Sequence, residues 1–176
     1  RNLNTATRAQ SLLMSQIFRV YTNDDVVGVE FGGALKNIIA IGCGIIDGLE
    51  YGDNSKAGLI TRGLAEITRL GVQAGANPLT FAGLAGMGDL VATCSSRLSR
   101  NHYLGSEIAK GRNLNDVLTS MKNVAEGVAT TSAAIKLASK LGVEMPITQA
   151  THDVLFDGLD ARQAIVELMG RPAKSE

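Results

Sequence analysis

Apolar residues recur with helical spacing along most of the chain after residue 28. The segment 29–50 is apolar on nearly every face, which predicts a central buried helix. In the segment 54–75, Leu64 and Ile67 share one apolar stripe, and Asn54 is placed to cap the helix. Further helices are predicted over 88–93, 101–110, 115–121, 127–141, 147–156, 161–169 and in a short segment that starts at Pro78. Gly142 and Asp160 supply a stop and a start signal for two of them, so the pattern predicts an all-α domain.

The first 27 residues have a different pattern. Residues 6–16 predict a short helix, and residues 18–22 give the one good strand signal, closed by a turn at 23–25. A helix followed by a single strand cannot make a sheet by itself. We therefore interpret residues 1–27 as the remnant of a preceding βα domain and residues 28–176 as a separate helical domain.

Composition narrows the function without assigning it. Apolar residues make up 45% of the chain, and 17 basic residues balance 17 acidic ones. A zero net charge argues against a large nucleic-acid or anionic-membrane surface. The longest apolar segment, 31–49, is interrupted by Lys36 and other polar residues, so no membrane span is predicted. Cys43 and Cys94 lie among apolar or small residues and predict reduced, intracellular thiols.

The first candidate for chemistry is Lys36, because it falls in the helix predicted to be most buried. Lysine is rarely buried without a partner or a task. Its neighbours one turn away are Gly32, Gly33 and Ala40, and these small residues predict a hollow around the amine. An amine in such a hollow can donate or accept a proton. The alternative, which spacing leaves equally open, is a lysine at a helix end that extends to water.

Two Gly-x-Gly sequences, at 42–44 and 86–88, resemble part of a dinucleotide-binding fingerprint. Neither follows a predicted strand, and neither precedes an acidic residue at the end of a second strand, as that fingerprint requires. We therefore interpret these glycines as sites of close helix packing or tight turns. Asp89 follows the second pair between apolar residues, and it is either a buried carboxylate or a helix N-cap.

The segment 94–101 combines serine hydroxyls, Arg97 and Arg100 with the start of a predicted helix. Hydroxyls, guanidinium groups and the first amides of a helix together bind anions well, which predicts a phosphate site. The alternative is a solvated loop that ends in a helix cap. His102 and His152 do not form a recognisable metal-binding pair, and no Cys/His spacing fits zinc, so no metal site is predicted.

Five ordered motifs together closely resemble the bacterial-type NAD(P)-dependent glycerol-3-phosphate dehydrogenase family. They are FRVYTNDDV at 18–26, GGALKN at 32–37, GMGDL at 86–90, SRN at 99–101 and VAEG at 124–127. Proteins of this family pair an N-terminal Rossmann domain with an all-helical substrate domain, which is similar to the C-terminal domain of 6-phosphogluconate dehydrogenase. The resemblance implies that the sequence comprises the substrate domain and the last elements of the nucleotide domain, without its Gly-rich loop.

The resemblance also implies roles for individual residues. Lys36 matches the catalytic proton acceptor, and Asn37 beside it is a weaker match. The implied substrate-binding residues are Lys36, Asp89, Ser99, Arg100 and Asn101. The implied cofactor-binding residues are Arg100, Val124 and Glu126.

The implied reaction interconverts sn-glycerol 3-phosphate and dihydroxyacetone phosphate. Its cofactor is NAD or NADP, which is bound mainly by the nucleotide domain that this sequence lacks. The resemblance further implies a cytoplasmic enzyme, a possible homodimer, that supplies a precursor of glycerophospholipids. The sequence leaves one alternative, a helical dimerisation domain of a related hydroxy-acid dehydrogenase.

Overall fold

The chain forms an assembly of helices in a computed structural model, which describes residues 3–172. The element order is α1 (Leu3–Leu13), α2 (Val26–Gly48), α3 (Gly52–Gln73), α4 (Pro78–Ala82), a π-helical turn (Leu84–Gly88), α5 (Asp89–Ser95), α6 (Arg100–Ala109), α7 (Leu114–Ser120), α8 (Glu126–Leu141), α9 (Pro146–Phe156) and α10 (Ala161–Met169). The prediction of an all-α domain is confirmed. The last four residues of that predicted domain lie outside the described range.

The predicted helix boundaries are best where a cap residue marks them. The Asp160 carboxylate accepts the N–H groups of Arg162 and Gln163 and starts α10 as predicted. Gly142 ends α8 with a φ of 66°, a conformation that glycine adopts without strain. The predicted cap at Asn54 is wrong, because α3 begins two residues earlier, at Gly52. Gly52 has a φ of 81°, which turns the chain into α3 directly after α2.

The predicted strand at residues 18–22 is also wrong. These residues have no regular secondary structure, and no other segment within residues 3–172 forms a strand that could pair with them. A β-strand requires such a partner, which explains why a good local signal gives no strand here. Gln10 Nε2 instead donates to Val20 O at 2.8 Å. The preceding helix α1 buries none of its residues, and Ile17 is 97% exposed.

Helix α2 is the centre of the domain, as its apolar pattern predicts. Helices α3, α5, α6, α8 and α9 pack around it. One core cluster contains Ile39 and Phe81, and a second contains Ile41 and Leu104. Among the described residues, α2 is the one helix long and apolar enough to cross a membrane, but 67% of its most apolar stretch is buried inside the domain. Its hydrophobicity is accounted for by its place in the core.

Glycines allow the backbones of neighbouring helices to approach α2 closely. A Cβ atom added to Gly44 would lie 2.0 Å from the carbonyl oxygen of His102, and one added to Gly105 would lie 2.0 Å from that of Ile41. Gly86 is packed against the backbone of α4 in the same way. The interpretation of the Gly-x-Gly sequences as packing sites is confirmed at Gly44 and Gly86. Helix α6, which begins at Arg100, is thereby held directly against α2.

Candidate active site

Lys36 and Asp89 form an ion pair between α2 and α5. Lys36 Nζ donates a short hydrogen bond to Asp89 Oδ1, and the two side chains are 19% and 38% exposed. Lys36 therefore has a specific partner and does not simply extend to water. Both groups keep part of their surface accessible, so the domain does not enclose the amine completely. An accessible amine fixed by a carboxylate is suited to proton transfer.

The two glycines that precede Lys36 have different surroundings. A Cβ on Gly32 would lie 2.3 Å from the carbonyl oxygen of Ala85, so the π-helical turn packs directly against α2 there. A Cβ on Gly33 would meet no atom within 4 Å. The predicted hollow next to Lys36 is therefore filled on the Gly32 side and open on the Gly33 side.

Asp89 is neither the buried carboxylate nor the helix N-cap that the sequence analysis considered. It is half-buried, and it is the first residue of α5, preceded by the π-helical turn at the N-cap position. Thr93, one turn further along α5, donates its hydroxyl to Asp89 Oδ1 at 3.3 Å. Sequence reasoning did not identify this contact, although the i, i+4 spacing of the two residues permits it.

The start of α6 carries a second polar group. Ser99 caps the helix, and its Oγ accepts the N–H of His102 at 3.3 Å. The first N–H groups of a helix have no partner within the helix, so this end favours an anion. Arg100 is 45% exposed, and one of its terminal nitrogens lies 3.6 Å from Glu126 Oε1 at the start of α8. Arg97 is exposed in the preceding loop.

Asn101 connects three helices through its buried side chain. Asn101 Nδ2 donates to Asn37 Oδ1 at 2.9 Å, and Asn101 Oδ1 accepts the N–H of Gly127 at 2.9 Å. Both asparagines are almost fully buried, at 6% and 7% exposure. This network joins Asn37, the residue beside Lys36, to the starts of α6 and α8. Its direct role in the fold is to position the starts of these two helices relative to α2. Substrate binding by Asn101 itself stays a prediction.

Val124 and Glu126 flank the start of α8. Val124 is 70% exposed, and the Glu126 side chain is 62% exposed beside Arg100. An exposed apolar side chain therefore lies two residues before the carboxylate that pairs with Arg100. Of the predicted site residues, the structure thus brings Lys36 to Asp89, and Arg100 to Glu126.

A further cluster, which the sequence analysis did not predict, lies at the other end of α2. Asp47 Oδ2 accepts hydrogen bonds from Lys56 Nζ at 2.6 Å and from His102 Nε2 at 2.7 Å. Burial raises the pKa of Asp47, but the hydrogen bonds from Lys56 and His102 outweigh it and lower that pKa below its ordinary value. His152 in turn has its Nδ1 atom 3.2 Å from Asp157 Oδ2. The two histidines thus belong to separate clusters.

Comparison with known proteins identifies the family. The sequence model of the protein family described as "NAD-dependent glycerol-3-phosphate dehydrogenase C-terminus" matches residues 25–166. Glycerol-3-phosphate dehydrogenase [NAD(P)+] of Geobacillus kaustophilus is 59% identical over 176 residues, which cover 99% of this chain and 51% of that protein. The enzyme of the same name from Dehalococcoides mccartyi is 56% identical over 98% of this chain and 48% of its own length. The chain therefore spans about half the length of these curated relatives.

Solved structures agree with this assignment. The crystal structure of glycerol-3-phosphate dehydrogenase from Coxiella burnetii is 42% identical with a TM-score of 0.92, over 97% of this chain and 53% of that one. The structure of glycerol-3-phosphate dehydrogenase from Saccharomyces cerevisiae is 25% identical with a TM-score of 0.85, over 94% of this chain and 48% of that one. The resemblance inferred from the five motifs is confirmed, and the chain belongs to the family of NAD-dependent glycerol-3-phosphate dehydrogenase C-terminal domains.

Proposed function

We propose that this chain is the helical, substrate-binding half of an enzyme that interconverts sn-glycerol 3-phosphate and dihydroxyacetone phosphate with NAD(P)(H). The observation that carries the proposal is the partly exposed ion pair between Lys36 of the mainly apolar helix α2 and Asp89 of α5. An association surface alone would not require a charged pair at that place. The family, to which relatives named glycerol-3-phosphate dehydrogenase belong, supports the same reaction.

Lys36 is the proposed proton carrier. In the oxidation of glycerol 3-phosphate, its unprotonated amine accepts the proton of the secondary hydroxyl. In the reverse direction, its ammonium form polarises the carbonyl of dihydroxyacetone phosphate and protonates the oxygen. Asp89 keeps the amine in place, and Thr93 keeps Asp89 in place. When bound, the nicotinamide accepts or supplies the hydride.

The start of α6 is the proposed phosphate site. Arg100 contributes a guanidinium group, and the first turn of α6 contributes backbone N–H groups that favour an anion. Fixing the phosphate there would orient the reacting carbon toward Lys36 and the cofactor. Arg100, Val124 and Glu126 form the proposed edge against which the nicotinamide nucleotide binds.

We propose that residues 1–27 belong to a nucleotide-binding half that precedes the helical domain. Their exposed apolar side chains, among them Leu12 and Ile17, support this division because they find no core within the described residues. The free and fully buried Cys43 and Cys94 fit a reducing, cytoplasmic location. Homodimerisation stays a prediction.

Isothermal titration calorimetry on the full-length protein tests the proposed reaction. Dihydroxyacetone phosphate added with NAD(P)H should give a continuous heat of reaction, and without NAD(P)H it should give a heat of binding alone. Dihydroxyacetone, which lacks only the phosphate, is the matched control and should give neither at the same concentration. Equal responses to the two ligands would contradict the phosphate site and favour a different hydroxy compound as substrate.

The isolated residues 1–176 provide a second test. We expect them to fold as a helical domain but to show no dehydrogenase activity, because the proposed nucleotide-binding half is missing. Circular dichroism would measure the helix content, and NADH absorbance would measure turnover with dihydroxyacetone phosphate. Oxidation of NADH faster than in a buffer control would refute the proposal that activity requires the nucleotide-binding half.

A further inference from the structure

Three titratable side chains outside the proposed mechanism meet where α2 ends and α3 and α6 begin. Asp47 Oδ2 lies 2.6 Å from Lys56 Nζ and 2.7 Å from His102 Nε2. The side chains of Lys56 and His102 are 17% and 12% exposed and that of Asp47 is 34% exposed, so these contacts are partly shielded from water. An ionised carboxylate only accepts hydrogen bonds, and therefore Nε2 of His102 carries the donated hydrogen.

His102 joins this cluster to the proposed phosphate site. It lies in the first turn of α6, and its backbone N–H donates to Ser99 Oγ at 3.3 Å. Its side chain donates to Asp47. One residue thus connects the helix cap beside Arg100 to a carboxylate on α2. Lys56, at the beginning of α3, holds that carboxylate from the other side.

The packing between α2 and α6 explains why such a connection matters. The close contacts at Gly44 and Gly105 set the distance between the two helices. Contacts between bare backbones are weakly directional, whereas hydrogen bonds are directional. The hydrogen bonds of Asn101 with Asn37 and of His102 with Asp47 therefore add directional contacts that restrain the rotation of α6 on α2. A small rotation of α6 would move the amides and Arg100 away from a bound phosphate.

We propose that Asp47 and Lys56 are positioning residues for the phosphate-binding turn at 99–101 and that they act through His102. This inference rests on the proposed function. The cluster touches neither Lys36 nor Asp89, so its loss should weaken substrate binding and leave the proton-transfer pair in place. Positioning of the phosphate group by a distant contact is expected to change the KM for dihydroxyacetone phosphate more than kcat.

The test measures steady-state kinetics on variants of the full-length protein. Asp47→Ala and His102→Ala should each raise the KM for dihydroxyacetone phosphate about tenfold, the effect of losing one charge-assisted hydrogen bond. The kcat should stay within about twofold. His102→Gln should restore most of the lost affinity, because its amide N–H can replace the Nε2–H group. Lys110→Ala is the matched control, since it removes a 2.8 Å ion pair with Glu107 at the other end of α6.

The outcomes separate this inference from the function on which it rests. An unchanged KM in both alanine variants, or a His102→Gln variant no better than His102→Ala, would overturn the positioning role while leaving the reaction intact. A wild-type protein that does not reduce dihydroxyacetone phosphate would overturn the proposed function and this inference with it. If Asp47→Ala does not fold, the comparison of the two His102 variants still decides the result.

Discussion

Two carboxylates of this domain, Asp89 and Glu66, are both bound by hydrogen-bond donors but in opposite environments. Asp89 is 38% exposed at its side chain, and its partner is the Lys36 amine. Glu66 is 1% exposed and accepts the N–H groups of Ile147 and Thr148 at 2.6 and 3.2 Å, together with the Thr148 hydroxyl. Glu66 thereby caps α9 from α3.

The difference separates a group suited to chemistry from one that holds the fold together. The proposed proton transfer by the Lys36–Asp89 pair requires access to a bound molecule, and part of the pair faces solvent. Glu66 is satisfied by fixed backbone donors, and no substrate can replace them. Burial raises the pKa of Glu66, and the hydrogen bonds from Ile147 and Thr148 oppose this effect only in part. Accessibility distinguishes the two sites better than the presence of a charge.

Removing the amine should have the largest effect on activity. We expect Lys36→Ala in the full-length protein to lower kcat by roughly 10²–10⁴-fold, the usual contribution of general acid–base catalysis. The fold should survive, because Asp89 retains access to water. Steady-state kinetics together with thermal unfolding measure both effects. Near-normal turnover would show that Lys36 has no part in the reaction.

Removing the buried carboxylate of Glu66 should lower the stability of the protein and leave its activity unchanged. Glu66→Ala leaves two buried N–H groups without an acceptor, which should lower the free energy of unfolding by about 3 kcal/mol. The KM for dihydroxyacetone phosphate in the folded variant should not change. Denaturant unfolding and kinetics well below the melting temperature test the two statements. A selective loss of activity in a fully stable variant would remove the contrast between Glu66 and Asp89.

Two arginines allow the same contrast within one segment. Arg100 lies beside Glu126 at the start of α6, whereas Arg97 is exposed in the loop before it. We expect Arg100→Ala to raise the KM for dihydroxyacetone phosphate by about 30-fold, near the lower limit for losing one partner of a charge pair. Arg100→Lys should recover the lost affinity for dihydroxyacetone phosphate only in part, because lysine lacks the planar guanidinium group that can donate two parallel hydrogen bonds.

Arg97→Ala serves as the internal control and should be close to wild type in KM and kcat. Kinetics of the two alanine variants, measured side by side, decide the assignment. A crippled Arg97→Ala variant beside a normal Arg100→Ala variant would mean that the phosphate is bound by the loop and not by the start of α6.

The smallest expected effect is the pH dependence that Glu66 contributes to stability. Because its pKa is raised in the folded protein, the folded state holds this proton more tightly than the unfolded chain does. The contribution of Glu66 is therefore most favourable below its unfolded pKa, near 4.5, and declines as the pH rises through the folded pKa. The stability of the wild type relative to Glu66→Gln, followed by denaturant unfolding, should increase as the pH is lowered. A difference that stays constant with pH would contradict the raised pKa.

Local sequence determined the helices of this domain. Apolar residues that repeat every three to four positions bury one face of a helix, so the amphipathic α3 could be predicted, and a segment that is apolar on nearly every face predicted the central α2. Caps such as Asp160 act on N–H groups two or three residues away, so they too could be predicted from the sequence. The order and spacing of five motifs, together with this pattern, were sufficient to identify the family.

Tertiary structure decided which side chains meet. Lys36 and Asp89 are 53 positions apart, Asp47 and His102 are 55 apart, and Glu66 and Ile147 are 81 apart. No local period encodes such pairs, because they depend on the angles at which α3, α5, α6 and α9 pack against α2. The strand signal at 18–22 failed for the same reason, since pairing requires a second strand that is absent from the described residues. The sequence by itself determined the helices and the family, and the packing of the helices determined the geometry of the site.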